Sequence, residues 1–201
     1  MAARLNRTTD YYAGGGETLG WELTVCNALE PENSPCRRIL KRKDSYGNLL
    51  YEFLALHVPL DDIRSVIEIG GGYGVLMRDF LAKRPLKATM LDISPTLSRR
   101  QRETLRDFPV TFLLQDFLDT DPDLLKDQDL AVLNENLGDF PTLLDIGRHV
   151  LRDPAGDLAG MERRARDLFD RYQLEEPETD PFHLNLGALE ALEKLCLAGV
   201  P

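Results

Sequence analysis

Ser65-Val66-Ile67-Glu68-Ile69-Gly70-Gly71-Gly72-Tyr73-Gly74-Val75-Leu76-Met77 is the stretch whose reading decides the fold. A β-branched run carries an acidic residue near its end, a glycine cluster follows at once, and an apolar helical pattern begins after it. The order is strand, tight loop, helix. Such an order describes a nucleotide-binding turn. Glycines at 70, 72 and 74 let the backbone take positive φ and approach a ligand that any Cβ would hold away. The loop then directs the positive end of a helix dipole towards whatever binds there.

The glycine spacing narrows the choice of ligand. A dinucleotide fingerprint, G-x-G-x-x-G/A, would place Val75 last if counted from Gly70 and Met77 if counted from Gly72, and neither fits. What stands here is Glu68-x-Gly70-x-Gly72-x-Gly74. This resembles the first motif of class I S-adenosylmethionine-dependent methyltransferases. The alternative is a glycine-rich turn in another α/β protein.

Working outward, strand one is Ser65 to Ile69, and its helix runs from about Gly74 to Lys83, where Pro85 stops it. Lys87 to Asp92, Val110 to Leu114 and Leu130 to Leu133 read as further strands, with a helix over roughly Thr96 to Arg106. Strands alternating with helices make an α/β, Rossmann-like, doubly wound parallel sheet with ligands at the carboxyl ends of its strands. The resemblance implies seven strands, of which four are legible, so the expectation is a sheet incomplete at the C-terminus and a chain that is a fragment. The edge strand would then stay open unless a helix or another subunit covered it.

Upstream, residues 1–60 read as a helical lead-in or lid to the unit at 61–201, with a short helix around Trp21 to Leu29. Two more helices lie between Ser34 and His57, broken at Tyr46-Gly47-Asn48, and cover one edge of the sheet. The family resemblance makes Tyr11, Tyr12 and Trp21 candidate lid residues, the alternative being simple packing. Downstream, Asp145 to Gln173 reads as a long helical pattern with a break at Asp153-Pro154-Ala155-Gly156. An acidic connector follows, then a last helix over about Leu186 to Leu197, so that 145–197 is expected to be helical.

The resemblance implies S-adenosylmethionine as cofactor and assigns its parts. Glu68 would hold the ammonium, and Gly70, Gly71, Gly72, Tyr73 and Gly74 would lie against the amino acid and ribose. No phosphate is involved, so a loop Lys is unnecessary and none is found. Asp92, with Ile93 beside it, would accept the ribose hydroxyls, as strand-two acids also do in NAD enzymes. The alternative for Asp92 is a cap on the turn with Ser94-Pro95. Asp116 and Phe117 would meet the adenine amino group and ring face; Asp116 could instead be a solvated loop acid, since Asp119, Asp121 and Asp123 crowd the same loop.

After strand four, Asn134-Glu135-Asn136-Leu137-Gly138-Asp139-Phe140-Pro141 stands where the family faces the transferred methyl. The sequence lacks the Asn/Asp-Pro-Pro-aromatic pattern of enzymes that methylate amino groups on nucleic acids. A weaker resemblance, to methyltransferase-like complex I assembly factors, rests on Asn134, Glu135 and Pro141; Asn136, Gly138 and Asp139 depart from it. Glu135 or Asp139 could orient and neutralise an amine or guanidinium, Asn134 could do so through its carbonyl, or these groups could merely bind solvent or cap a helix. Methyl transfer is an in-line displacement on an activated sulfonium, so positioning supplies much of the catalysis.

At 201 residues, 43% apolar and 29% charged, the chain has the size and composition of one soluble globular domain. No apolar run approaches the roughly 20 residues of a membrane span, and the N-terminus lacks the apolar stretch of a signal peptide. The three cysteines, odd in number and widely spaced, suit neither a disulfide framework nor a zinc site, so a cytoplasmic setting is expected. His57, His149 and His183 have no metal-ligand spacing, and no metal site is expected. A net charge of −10 argues against a broad nucleic-acid surface. The local exception is Arg37, Arg38, Lys41, Arg42 and Lys43, within seven residues, read as a solvated helix face or a contact with an acidic partner.

Two readings of function stand side by side. One is a methyltransferase acting on a small molecule or a protein side chain, with a homodimer left open and neither nucleic acid nor membrane as partner. The other is a non-catalytic, cofactor-binding scaffold or assembly factor. NAD-dependent redox chemistry, a third, is weakened by Val75.

Overall fold

Val66 and Ile67 are wholly shielded from solvent, and all of Ser65–Ile69 is buried, the mark of a strand with neighbours on both edges and both faces. The computed structural model describes residues 3–6, 8–16, 24–152 and 160–200. In chain order its elements are β1 (Arg4–Asn6), α1 (Thr8–Ala13), α2 (Val25–Ala28), α3 (Pro35–Leu40), α4 (Tyr46–Leu54), β2 (Ser65–Ile69), α5 (Val75–Lys83), β3 (Lys87–Asp92) and α6 (Pro95–Thr104). There follow β4 (Val110–Leu114), α7 (Asp123–Lys126), β5 (Leu130–Val132), a single 3-10 turn (Leu137–Asp139), β6 (Thr142–Ile146), α8 (His149–Arg152), α9 (Gly160–Tyr172), β7 (Phe182–Leu184) and α10 (Leu186–Ala198).

The central sheet is parallel throughout, in the order β4-β3-β2-β5. Side chains alternate across β2, so the strand serves two cores. Val66 packs with Leu76, Met77 and Phe80 of α5 and with Leu50 and Tyr51 of α4. Ile67 and Ile69 pack on the other face, with Leu125 of α7 and Ala191 and Leu195 of α10. This is the doubly wound, Rossmann-like α/β arrangement, with helices on both faces and β2 at its centre.

A second sheet, antiparallel and ordered β1-β6-β7, joins the first residues to the last third of the chain. Leu143, Ile146 and Phe182 form its apolar face against Val150, Ala165 and Phe169 of α8 and α9. Here the sequence expectation is corrected. Residues 145–197 are not helical throughout: Asp145 lies in β6, with φ +60 and its carboxylate 2.9 Å from Arg4, and β7 intervenes before α10. Pairing with β1 and β7 outweighs the local charge pattern that suggested a helix. The expected break at Asp153–Gly156 lies outside the described residues.

Two other readings change. Tyr46-Gly47-Asn48 does not interrupt a helix but opens α4. Glycine is required there by close approach, since a Cβ at Gly47 would stand 2.7 Å from Asp79 Oδ2. Upstream, the helix expected over Trp21 to Leu29 is seen only as Val25–Ala28, its first residues, Trp21 included, lying outside the described residues. Among the described residues no helix is long and apolar enough to cross a membrane.

Candidate functional site

A cavity of about 820 Å³ opens where β2, β3, β4 and β5 end. Its size falls within the usual range of small-molecule sites. Every cofactor-binding and catalytic residue proposed from sequence lines it except Gly74, which instead caps α5 from a left-handed conformation (φ +79).

The glycine loop is built by two distinct requirements. A Cβ at Gly71 would meet Met90 Cε at 2.5 Å and Glu68 Cδ at 2.6 Å, so that residue must be glycine for the loop to lie on the strand. At Gly72 the backbone is left-handed (φ +53) and nothing lies within 4 Å of where a Cβ would stand, which leaves open space along the cavity wall. Glu68 sits beneath this loop, 2% exposed. One carboxyl oxygen accepts from the Met77 amide in the first turn of α5, while Oε2 has no partner. Burial, with Asp92 as a second cause, pushes the Glu68 carboxyl up to about 8.

Asp92 is also buried. Its Oδ1 accepts from the Ser94 amide at 2.8 Å and its Oδ2 from Gln101 Nε2 at 2.7 Å. Gln101 bridges onward to the Gly72 carbonyl at 3.1 Å and so ties Asp92 to the glycine loop. The turn-capping role weighed for Asp92 is thus real, yet each carboxylate oxygen keeps a lone pair for a ligand hydroxyl. Burial raises the Asp92 carboxyl, opposed by its bonds from Ser94 and Gln101.

At the far end, Asp116 Oδ1 accepts from the Leu118 amide at 2.9 Å. Phe117 is buried, 6.3 Å from Phe140 in an edge-on pair. This loop has little regular structure of its own and is gathered by one cation. Lys194 of α10 donates to the carbonyls of Phe117 (2.8 Å), Leu118 (3.0 Å) and Thr120, and lies 5.3 Å from the Phe117 ring centroid. Three ammonium hydrogens meet three carbonyls. No local sequence signal identifies Lys194, which acts from the other end of the domain.

Beyond β5, Asn134 is committed at both ends of its amide: Oδ1 accepts from Tyr46 Oη at 2.9 Å, and Nδ2 stands 3.7 Å from Cys26 Sγ. Glu135 adopts a left-handed backbone (φ +58) that turns its carboxylate to the Val25 amide at 3.1 Å, where it caps α2 beside Thr24. Asn136 donates to the Ile69 carbonyl and packs on Gly70, leaving its Oδ1 buried and unpartnered. Asp139 stands at the mouth, its carboxyl raised by partial burial alone.

The roof comes from the first third of the chain. Tyr12 lines the cavity with Thr9, Thr24, Cys26, Asn27 and Glu30. Tyr11 is exposed and off the wall, and Trp21 lies outside the described residues. Arg78 fixes the roof by donating to both Glu30 oxygens at 2.6 and 2.8 Å and to Asp79, which also accepts from Ser45. Burial, reinforced by Glu68, Glu135 and Asp79, pushes the Cys26 thiol up to about 12.

Six carboxylates line this cavity, from Glu30, Glu68, Asp92, Asp116, Glu135 and Asp139, and no Lys, Arg or His does among the described residues. Nor do those residues place three His, Cys, Asp or Glu side chains where they could hold a metal ion. His183 instead accepts from the Asp145 amide at 3.1 Å.

No protein-family model and no curated protein matches the chain. Among solved structures it is similar to an O-methyltransferase family protein from Burkholderia thailandensis, with 24% identity over 47% of this chain and 30% of that one, at a TM-score of 0.39. It is similar to the mitomycin 7-O-methyltransferase MmcR, with 27% identity over 53% and 32% of the two chains and a TM-score of 0.38. It is similar also to the glycopeptide N-methyltransferase MtfA complexed with S-adenosylmethionine, with 20% identity over 64% and 50% and a TM-score of 0.36. The chain thus matches half or less of the length of these structures.

Proposed function

We propose that the chain forms the cofactor-binding part of an S-adenosylmethionine-dependent methyltransferase. The observation that carries this reading is the lining: among the described residues, six carboxylates and no cation around a glycine loop at the strand ends. A pyrophosphate would be repelled there, whereas a ligand bearing a sulfonium and an ammonium would be drawn in. Two further features fit that ligand. Glu68 Oε2 is a buried acceptor without a donor, and the wall at Gly72 has the space that a Cβ would fill.

In this reading Glu68 and the loop amides hold the amino acid end, Asp92 the ribose, and Asp116 and Phe117 the adenine. When bound, the cofactor supplies an already activated methyl group. The chain's work is to orient the acceptor, exclude water beneath the roof of Thr24 to Glu30, and take up a proton. Asp139 and the remaining oxygen of Glu135, exposed carboxylates of the cavity lining, would serve in that, and they favour a cationic or protonated nitrogen on a small molecule or protein side chain. Asn134, held by Tyr46 and Cys26, shapes the loop.

The alternative, a scaffold that binds the cofactor without transfer, is favoured by that same commitment of Asn134. Calorimetry with S-adenosylmethionine and S-adenosylhomocysteine, with NAD as control, tests the proposal. Micromolar binding of the first two and none of NAD is expected; tighter binding of NAD would overturn it.

A further inference from the structure

The basic segment after the roof is organised differently from a solvated helix face. Arg37 is 7% exposed and spends its guanidinium on backbone: Nε donates to the Leu29 carbonyl at 2.7 Å, Nη2 to that of Glu30 at 2.8 Å and Nη1 to that of Lys43 at 2.5 Å. Both stems of the loop are thereby clasped, one of them at the cavity rim formed by Glu30 and Pro31.

What the clasp holds out is unusual. Arg38, Ile39, Leu40, Lys41, Arg42 and Lys43 are all exposed, Ile39 at 79% and Leu40 at 57%. None of the four cations has a side-chain partner among the described residues. Lys41, at the tip, is left-handed (φ 52), a conformation that costs a non-glycine residue roughly 1–2 kcal/mol. An exposed promontory, held at its base by Arg37 and carrying four positive charges around two large apolar side chains, thus stands out on a chain of net charge −10.

We infer that this promontory, Arg38 to Lys43, is a docking surface for an acidic polypeptide whose carboxylates flank an apolar residue, seated beside the mouth of the cavity. The inference concerns binding alone and stands whether or not the cavity transfers a methyl group. A polypeptide is favoured over the other polyanions by what surrounds the promontory. Nucleic acid led from it to the cavity would meet a carboxylate-lined mouth, and its phosphates have no use for Ile39 and Leu40. An anionic bilayer is an extended negative plane that would face the whole acidic molecule, whereas a peptide can present its charge locally, within a Debye length of about 8 Å.

The test is fluorescence anisotropy with a fluorescein-labelled peptide of alternating Glu and Leu, on the full chain and on two variants whose changes are confined to exposed side chains. These are R38E/R42E and I39S/L40S. Saturable binding is expected, weakened about tenfold or more in each variant and by raising salt from about 0.05 M to about 0.3 M. Circular dichroism and S-adenosylhomocysteine affinity unchanged in both variants would assign the loss to the surface. Absence of peptide binding, equal binding by R38E/R42E, or stronger binding to phosphatidylserine vesicles or to a single-stranded oligonucleotide would overturn the inference.

Discussion

The ammonium of Lys194 lies 2.8 Å from the carbonyl oxygen of Phe117, which precedes it by 77 residues. Through this bond and its two companions, α10 sets the shape of the loop that carries Asp116 and Phe117. Lys194→Met should therefore leave the sheet folded, cost about 2 kcal/mol of stability, as for hydrogen bonds to a charged group, and weaken S-adenosylhomocysteine binding about tenfold. Lys194→Arg should recover part of the affinity. Calorimetry checks both, and unchanged affinity in the Met variant would remove Lys194 from any role at the site.

Glu68 makes binding depend on pH. Its carboxyl, raised to about 8 by burial and Asp92, is largely protonated at neutral pH, and a cationic ligand favours the ionised form. Binding at pH 7 should release a proton, and affinity should rise with pH until it levels above about 8. Titrations in phosphate and in Tris read the proton as a difference in apparent enthalpy. Identical enthalpies would mean that Glu68 stays protonated beneath the loop.

The same group bears on stability. Because its folded value lies above the ordinary 4.5, its stabilising contribution is complete below that pH and is lost as pH rises through about 8. Glu68→Gln should flatten the fall in Tm between about pH 4.5 and 8, each pH unit in that range being worth about 1.4 kcal/mol. A fall as steep as that of the parent chain would count against it.

Two adjacent glycines should fail in different ways. Gly71→Ala drives a Cβ into Glu68 and Met90 and should cost about 2 kcal/mol. Gly72→Ala meets open space, so its cost is the left-handed backbone, about 1 kcal/mol, while its methyl group narrows the cavity and should weaken binding about tenfold or more. Thermal melts and calorimetry on the pair separate the effects. Equal melting temperatures would contradict the contacts at Gly71.

Cysteine chemistry provides an independent check of the roof. Cys26, pushed up to about 12, carries almost no thiolate at pH 8, whereas Cys196 is exposed on α10. Iodoacetamide should modify Cys196 first and Cys26 at least about a hundredfold more slowly. Mass spectrometry of timed digests measures this, and comparable rates would show that the roof does not cover Cys26.

The parallel sheet was legible because its signal is local: β-branched runs, a glycine turn and helices of regular period around Ser65–Leu133. The positions of Glu68, Asp92 and Asp116 at strand ends followed from the same pattern. Less legible was everything fixed by partners distant in the chain. Arg37 looks like its basic neighbours until Leu29, Glu30 and Lys43 surround it, and Asp145 reads as a helix start until Arg4 and β7 hold it in a strand. Asn136 and Gln101 brace the glycine loop through single side-chain bonds that leave no periodic trace.

The pairing of β1 with β6 also dictates an order of events at the ribosome. Arg4 and Asp145, bonded in the finished molecule, are separated by 141 positions, and at roughly 5–20 residues per second the first strand waits about 7 to 28 seconds for its partner to be made. The parallel strands that floor the cavity are all synthesised within that wait. The strands that floor the cavity are thus made before the segment leading to its roof can be moored, and α10, which packs on β2 and holds the Phe117 loop, is made last of all.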